Sequence, residues 1–183
     1  MLTEAQAKVV CKTLLRDAYD LLRFLHCDMY TDETDSFEVE VEYILRGETH
    51  KRTMGYSLIT TYEQRGIYTL DDVRIALEKI YTPETAVETG LFAQPSYSNE
   101  VDIKERDGKL YYVNATKGWF GSYVPDSLQI LSVTKDTVEM KISVISGPQS
   151  EILGDFTYTL KNTENGWRLD THYTDGWIWP AEN

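Results

Sequence analysis

Apolar and polar residues along this chain recur with two different periods. At the N-terminal end, apolar residues recur every three or four positions as far as residue 27, which is typical of one buried helix face. These residues are Ala7, Val10, Leu14, Ala18, Leu21, Leu22 and Leu25. Thr3 followed by Gln6 has the form of a capping box, in which each side chain binds the other residue's backbone N–H. The pattern predicts a packing helix over about residues 3–27.

The period changes to two in an acidic segment over residues 28–60, where apolar and acidic residues alternate. The apolar positions are Phe37, Val39, Val41 and Tyr43, and the acidic positions between them are Glu38, Glu40 and Glu42. Period two predicts a strand with one buried face and one acidic face. Residues 28–48 hold eight acidic residues against one arginine, so the local net charge is -7. Arg46-Gly47-Glu48 predicts a turn, and residues 53–60 a second strand.

Helices and then strands follow in the rest of the chain. Thr69 is a predicted cap for a helix over residues 70–80, and Pro83 is a predicted first residue of a short helix that ends at Gly90. Residues 99–173 return to period two, which predicts antiparallel strands. Asp107-Gly108 and Asn165-Gly166 are typical two-residue hairpin turns.

This order of elements predicts the α+β class, with N-terminal helices packed on a curved, mainly antiparallel β-sheet. It resembles the cone-shaped architecture called cystatin-like or nuclear-transport-factor-2-like. We expect one domain over residues 1–183: the long helix, the acidic strand region, helices over 70–90, strands over 99–173 and an aromatic tail over 174–183.

Charge narrows the classes of partner that the chain can bind. Its 183 residues include 30 acids and 18 Lys and Arg residues, a formal net charge of -12. Such a field repels nucleic acid and anionic membrane surfaces and attracts a basic protein partner. No stretch approaches the ~20 apolar residues of a transmembrane helix. We therefore predict no nucleic-acid partner and no transmembrane segment.

The residues that usually perform catalysis have unsuitable spacing. His26, His50 and His172 lack metal-ligand neighbours, and Cys27 points about 100° away from His26 on a helix. Cys11 would lie about 24 Å from Cys27 along that helix, too far for a disulfide. No nucleophile elbow or phosphate loop occurs. We predict a protein without enzymatic activity, cofactor or metal.

Two other interpretations remain open. A cone-shaped sheet can house a polar cavity, so the chain could be a small-molecule-binding protein or an isomerase- or dehydratase-like enzyme. The later strands point large apolar residues inward, which favours a filled interior instead. The chain could also be the interaction domain of an envelope lipoprotein.

The candidate binding residues are aromatic and acidic. Trp119, Phe120 and Tyr123 lie in a glycine-flanked segment, where aromatic side chains are favoured as interface anchors. They could equally fold back and close the open end of the sheet, the role that we expect for Trp177 and Trp179. The row of Glu38, Glu40 and Glu42 would steer a basic partner, or would protect a sheet edge from pairing.

Four segments together resemble the inhibitors of bacterial cell-wall DL-endopeptidases found in Gram-positive bacteria. The segments are Tyr68–Val73, Ile80–Ala86, Arg106–Tyr112 and Glu164–Leu169. Their order and spacing, over about residues 55–173, make the likeness.

The resemblance implies export to the cell wall, with the signal sequence removed, and non-covalent inhibition of papain-like cysteine peptidases that cut peptidoglycan. Those enzymes are commonly basic, so an acidic inhibitor suits them. The resemblance supplies no catalytic residues, and the expected mechanism is steric occlusion of the partner's cleft.

Overall fold

A computed structural model describes residues 1–26, 28–87, 102–114, 122–146 and 151–171 of the chain. It has three α-helices and nine β-strands in these ranges, and the predicted α+β class is confirmed. The helices are α1 (Glu4–His26), α2 (Leu70–Glu78) and α3 (Pro83–Ala86). The strands are β1 (Thr31–Leu45), β2 (Glu48–Ile59), β3 (Ile103–Arg106), β4 (Lys109–Val113), β5 (Ser122–Tyr123), β6 (Gln129–Val133), β7 (Thr137–Ser146), β8 (Glu151–Thr163) and β9 (Gly166–Leu169).

Helix α1 begins at the predicted capping box. The Thr3 backbone N–H donates to Gln6 Oε1 at 2.9 Å, and the Gln6 N–H donates to Thr3 Oγ1 at 3.3 Å. The buried stripe is displaced slightly from the predicted one. Its members are Ala7, Cys11, Leu15, Ala18, Leu21, Phe24 and Leu25, whereas Val10, Leu14 and Leu22 are half-buried at its margin. The periodicity predicted the helix, whereas packing against the neighbouring sheet determines which side of the helix is fully buried.

The strands pair into two antiparallel sheets in the described residues, where the sequence predicted one curved sheet. The first, sheet A, has the order β1-β2-β4-β3. Strands β1 and β2 form a long hairpin whose turn at Arg46 and Gly47 has positive φ at both residues, 52° and 81°. That turn matches the twist of the flanking strands. β4 pairs with β2 only near its C-terminal end, from Tyr56 to Leu58.

The second sheet, sheet B, is built around β7. β8 pairs with one edge of β7, and β9 pairs with β8 beyond it. On the other edge, β5 pairs with Val144 and Ile145, whereas β6 pairs with residues 138–141. A 3-10 turn at Pro125–Ser127 separates β5 from β6. Alternate residues of β7 are buried as predicted, namely Val138, Met140, Ile142 and Val144.

The helices join the two sheets around one core. α1 packs against β6 and β9, and at its C-terminal end the Tyr62 hydroxyl, which follows β2, donates to the Leu25 carbonyl. The predicted cap of α2 is confirmed, since Thr69 Oγ1 accepts from the Asp72 N–H at 3.1 Å. The Leu169 N–H then donates to the Ile80 carbonyl at 2.8 Å, which ties the end of α2 to β9. One cluster of buried side chains draws on α1, α2 and both sheets.

Two predicted elements differ in their limits. α3 ends at Ala86, earlier than the predicted stop at Gly90, which lies outside the described residues. The last hairpin turns at residues 164 and 165, one position before the predicted Asn165-Gly166, and Gly166, with φ 95°, is the first residue of β9. Across the ranges given above, none of the helices is both long enough and apolar enough to span a membrane.

Candidate partner-binding surface

The predicted acidic row lies on the exposed face of β1. Glu38, Glu40 and Glu42 are exposed, whereas Val41 between them is 2% exposed. The alternation follows from the two-residue period of an extended strand. β1 is an edge strand of sheet A within the described residues, so protection of that edge is one role that the row can serve.

The row lies largely on a two-stranded arm, which we define as residues 39–54. Seven consecutive residue pairs, from Val39 opposite Met54 to Leu45 opposite Glu48, join its strands. In the part of the chain that the structure describes, no third strand pairs with these residues. At about 3.3 Å per residue, the arm is roughly 23 Å long. Glu40 and Glu42 are on the arm, and Glu38 is at its base.

A lysine from the opposite strand offsets part of the acidic charge. Lys51 Nζ lies 2.7 Å from Glu40 Oε1 and 3.7 Å from Glu42 Oε1. The hydrogen bond to Glu40 raises the pKa of Lys51 above its ordinary value, with the charges of both glutamates adding to the effect. The face therefore has three carboxylates against one ammonium group, a smaller excess than the sequence suggested.

The other face of the arm has an aromatic and cationic group that was not predicted from the sequence. We call Tyr43, His50 and Arg52 the tip cluster. The Tyr43 and His50 rings are stacked with centroids 5.4 Å apart, and Arg52 Cζ lies 5.4 Å from the Tyr43 centroid. Tyrosine and arginine are among the residue types that are enriched at binding hot spots. A sequence signal for this group did exist. If both strands are continued up to the predicted turn at Arg46-Gly47, Tyr43 lies opposite His50.

The base of the arm is fixed to β4 by a polar and aromatic network. Asp35 Oδ2 accepts from Lys109 Nζ at 2.8 Å, and Asp35 Oδ1 accepts from the Tyr111 hydroxyl at 3.0 Å. These two donors, with Lys109 the larger influence, hold the pKa of Asp35 below its ordinary value. Phe37 stacks on Tyr56 at 5.4 Å and meets Tyr111 edge-on at 5.0 Å. The network sets the direction in which the arm leaves the sheet.

The aromatic candidates lie away from the arm or outside the described residues. Tyr123 is in β5, half-buried, and its ring meets Tyr158 edge-on at 5.9 Å. Burial raises the pKa of Tyr123. The side chain therefore packs against sheet B, and the structure does not place it beside Glu38, Glu40 or Glu42. Trp119, Phe120, Trp177 and Trp179 lie outside the described residues.

The residues considered for catalysis are dispersed. Cys11 is fully buried in α1, where burial raises its pKa to about 12. His50 is in the tip cluster, with Nε2 3.9 Å from Glu48 Oε2. Cys27 and His172 lie outside the described residues. Among the side chains that are described, no three His, Cys, Asp or Glu residues converge in a way that could hold a metal ion.

No family model matches the chain, and no curated protein is significantly similar to it. The arm, with an acidic face, a tip cluster and a fixed base, is thus the candidate surface on geometric grounds.

Proposed function

We propose that this protein is an exported, non-catalytic inhibitor that binds a basic cell-wall DL-endopeptidase of the papain-like class and blocks its cleft with the β1–β2 arm. The observation that supports the proposal most directly is the arm itself. Its base is anchored to β4, and along the arm β1 and β2 pair with no further strand among the described residues. The resemblance noted in the sequence favours the peptidase as the partner.

The dimensions of the arm favour insertion into a cleft over docking on a flat surface. One face of about 23 Å by 10 Å offers much less than the roughly 800 Å² that each partner buries in a specific interface. A hairpin inside a cleft is contacted on both faces. The acidic face would then lie against one basic wall, and the tip cluster would supply the anchor on the other.

The charge of the whole chain supports the same partner class. A net charge of -12 accelerates the approach of a basic protein, most strongly at low ionic strength. The acidic face would orient the arm as it enters the cleft. Inhibition would follow from exclusion of the peptidoglycan stem peptide, with no bond made or broken by this chain.

The proposal is tested by mixing the purified chain with a cell-wall DL-endopeptidase and following peptidoglycan hydrolysis at low and high salt. We expect inhibition that weakens as salt rises. Hydrolysis at the uninhibited rate under both conditions would rule out that enzyme as the partner.

A shortened arm separates the role of the arm from that of the whole protein. Replacing residues 43–50 with Asn-Gly closes the hairpin between the paired residues Glu42 and Lys51 with a favoured two-residue turn. We expect this variant to keep its fold, measured by circular dichroism, and to lose inhibition. A shortened arm that inhibits as well as the full chain would show that another surface binds the enzyme.

Two triple variants test the acidic row, and both change the net charge by the same amount. Glu38→Gln, Glu40→Gln and Glu42→Gln together should weaken inhibition and reduce its salt dependence. The control removes three exposed carboxylates elsewhere, by Glu4→Gln, Glu63→Gln and Glu139→Gln. Equal effects of the two triples would assign the steering to net charge alone.

The aromatic segment needs a test of its own. Trp119→Ala and Phe120→Ala should weaken inhibition if these residues are anchors, as the sequence analysis proposed. If both variants inhibit as the unmodified chain does, the anchors are in the arm, and the tip-cluster variant Tyr43→Ala should then show the loss.

A further inference from the structure

A small apolar cavity lies between helix α1 and sheet B. Its volume is about 170 Å³. Leu15, Pro125 and Ile142 form its apolar walls, and the rings of Tyr19 and Tyr123 border it. The cavity is separate from the β1–β2 arm, and its interpretation does not depend on the proposed inhibition.

The local topology explains why space is left at this point. β5 and β6 pair with different stretches of the same edge of β7, and the 3-10 turn at Pro125–Ser127 fills the interval between them. The sheet surface is interrupted there, below α1. Lys12, Leu15, Arg16 and Tyr19 are spaced i, i+3, i+4 and i+7, so one face of the helix covers the interruption.

The ionised side chains that line the cavity are both cations. Lys12 Nζ lies 3.6 Å from Asp126 Oδ1, and the Asp126 side chain is fully exposed. Arg16 donates to Asp17 Oδ1 at 2.8 Å, with its own side chain 68% exposed. Exposed ion pairs of this kind contribute little free energy. An anion at the mouth of the cavity could therefore replace either acid as partner.

We propose that this cavity binds a small aromatic carboxylate, with the ring against the apolar lining and the carboxylate at Lys12 and Arg16. The size suits one ring, because an apolar protein cavity of about 150 Å³ is known to accept benzene. The lining gives a ring apolar contacts, and the phenol groups of Tyr19 and Tyr123 add polar edges. The two cations select an acid over a neutral ligand of the same shape.

The test uses benzoate as the probe, with benzamide as its neutral counterpart and acetate as the anion without a ring. Binding to the full chain is followed by NMR titration, using the signals of Leu15, Tyr123 and Ile142. We expect benzoate to shift these signals saturably, benzamide to bind at least tenfold more weakly, and acetate to leave them unchanged. Benzamide and benzoate binding equally would overturn the assignment of the anion site, and no shift with benzoate would overturn the cavity as a ligand site.

Charge variants give a second test that leaves the core intact. Lys12→Gln with Arg16→Gln should weaken benzoate about tenfold and leave benzamide unchanged. The control is Lys79→Gln with Lys135→Gln, which removes the same charge at two exposed side chains outside the cavity lining. If both double variants weaken benzoate binding equally, the weakening comes from net charge alone, and the proposed role of Lys12 and Arg16 is overturned.

Discussion

Lys51 binds Glu40 in preference to Glu42, although Glu42 is its direct neighbour across the arm. The Lys51 Nζ–Glu40 Oε1 distance is 2.7 Å, against 3.7 Å to Glu42 Oε1. The lysine thus reaches diagonally and lies between two carboxylates. Diagonal contacts of this length are within reach of long side chains on one face of an antiparallel pair. The consequence is that one cation limits the negative potential of the whole acidic face.

Lys51→Gln should therefore strengthen the attraction of a basic partner. At low ionic strength we expect the association rate with a basic cell-wall peptidase to rise about fivefold. A factor of five corresponds to roughly 1 kcal/mol, which is the interaction energy of two unit charges at about 4 Å in water. Stopped-flow fluorescence measures that rate. Lys8→Gln changes the net charge equally on α1, where it should have a smaller effect. Equal acceleration by both variants would contradict orientation by the arm.

Acid should loosen the base of the arm through Asp35. Lys109 and Tyr111 hold the pKa of Asp35 below its ordinary value of 3.8, so the folded state binds the proton less readily than the unfolded state does. The resulting stabilisation is present above about pH 4 and is lost as the pH falls through the folded-state pKa. Asp35→Asn should be less stable than the unmodified chain at pH 6, and the two should converge near pH 2.

Urea unfolding at a series of pH values checks this convergence. Glu33→Gln is the matched control, since it removes an exposed carboxylate from the same irregular stretch of β1. A constant difference in stability between Asp35→Asn and the unmodified chain across the acid range would show that the Lys109 and Tyr111 contacts are not the source of the effect.

Cys11 should be unreactive in the folded protein. Its side chain is 0% exposed, and burial raises its pKa to about 12, so almost no thiolate exists at neutral pH. In a Cys27→Ser background, we expect a thiol reagent to label Cys11 at least about a thousandfold more slowly in native buffer than in denaturant, since a domain stable by ~5 kcal/mol opens that rarely. Rapid labelling under native conditions would indicate that the Cys11 thiol is exposed, and Cys11 would again be a candidate nucleophile.

The elements with local signals were predictable from the sequence, and their assembly was not. Helix α1 spans Glu4–His26 against a predicted 3–27, because its cap and its apolar period are both encoded within a few residues. The cap at Thr69 has the same origin. The division of the strands into two sheets depends on pairings such as Tyr56 with Val113, which are far apart along the chain and leave no periodic trace.

The candidate site shows the same limit. The acidic face of β1 follows from strict alternation, so Glu38, Glu40 and Glu42 were placed correctly on one face. The first half of β2 was not predicted as strand, because Thr49, His50 and Lys51 have no alternating apolar residues. Both Lys51 and the tip cluster were missed for that reason. The strand that contains Tyr123 was not predicted, because a two-residue strand is too short to show a period.

Ser57 offers a route to a more stable protein. Its side chain is fully buried in β2, and within the described residues its Oγ is the one buried side-chain polar atom without a hydrogen-bond partner. A buried hydroxyl that makes no hydrogen bond costs about 1–3 kcal/mol by mutational measures. Ser57→Ala removes that cost with little change of volume, and we expect the free energy of unfolding to rise by about 1 kcal/mol.

The control is Ser36→Ala at the residue directly opposite in β1, which is exposed and should change stability by less than about 0.5 kcal/mol. Urea unfolding of both variants at pH 7 gives the comparison, and a loss of stability in Ser57→Ala would mean that its hydroxyl is bonded in solution.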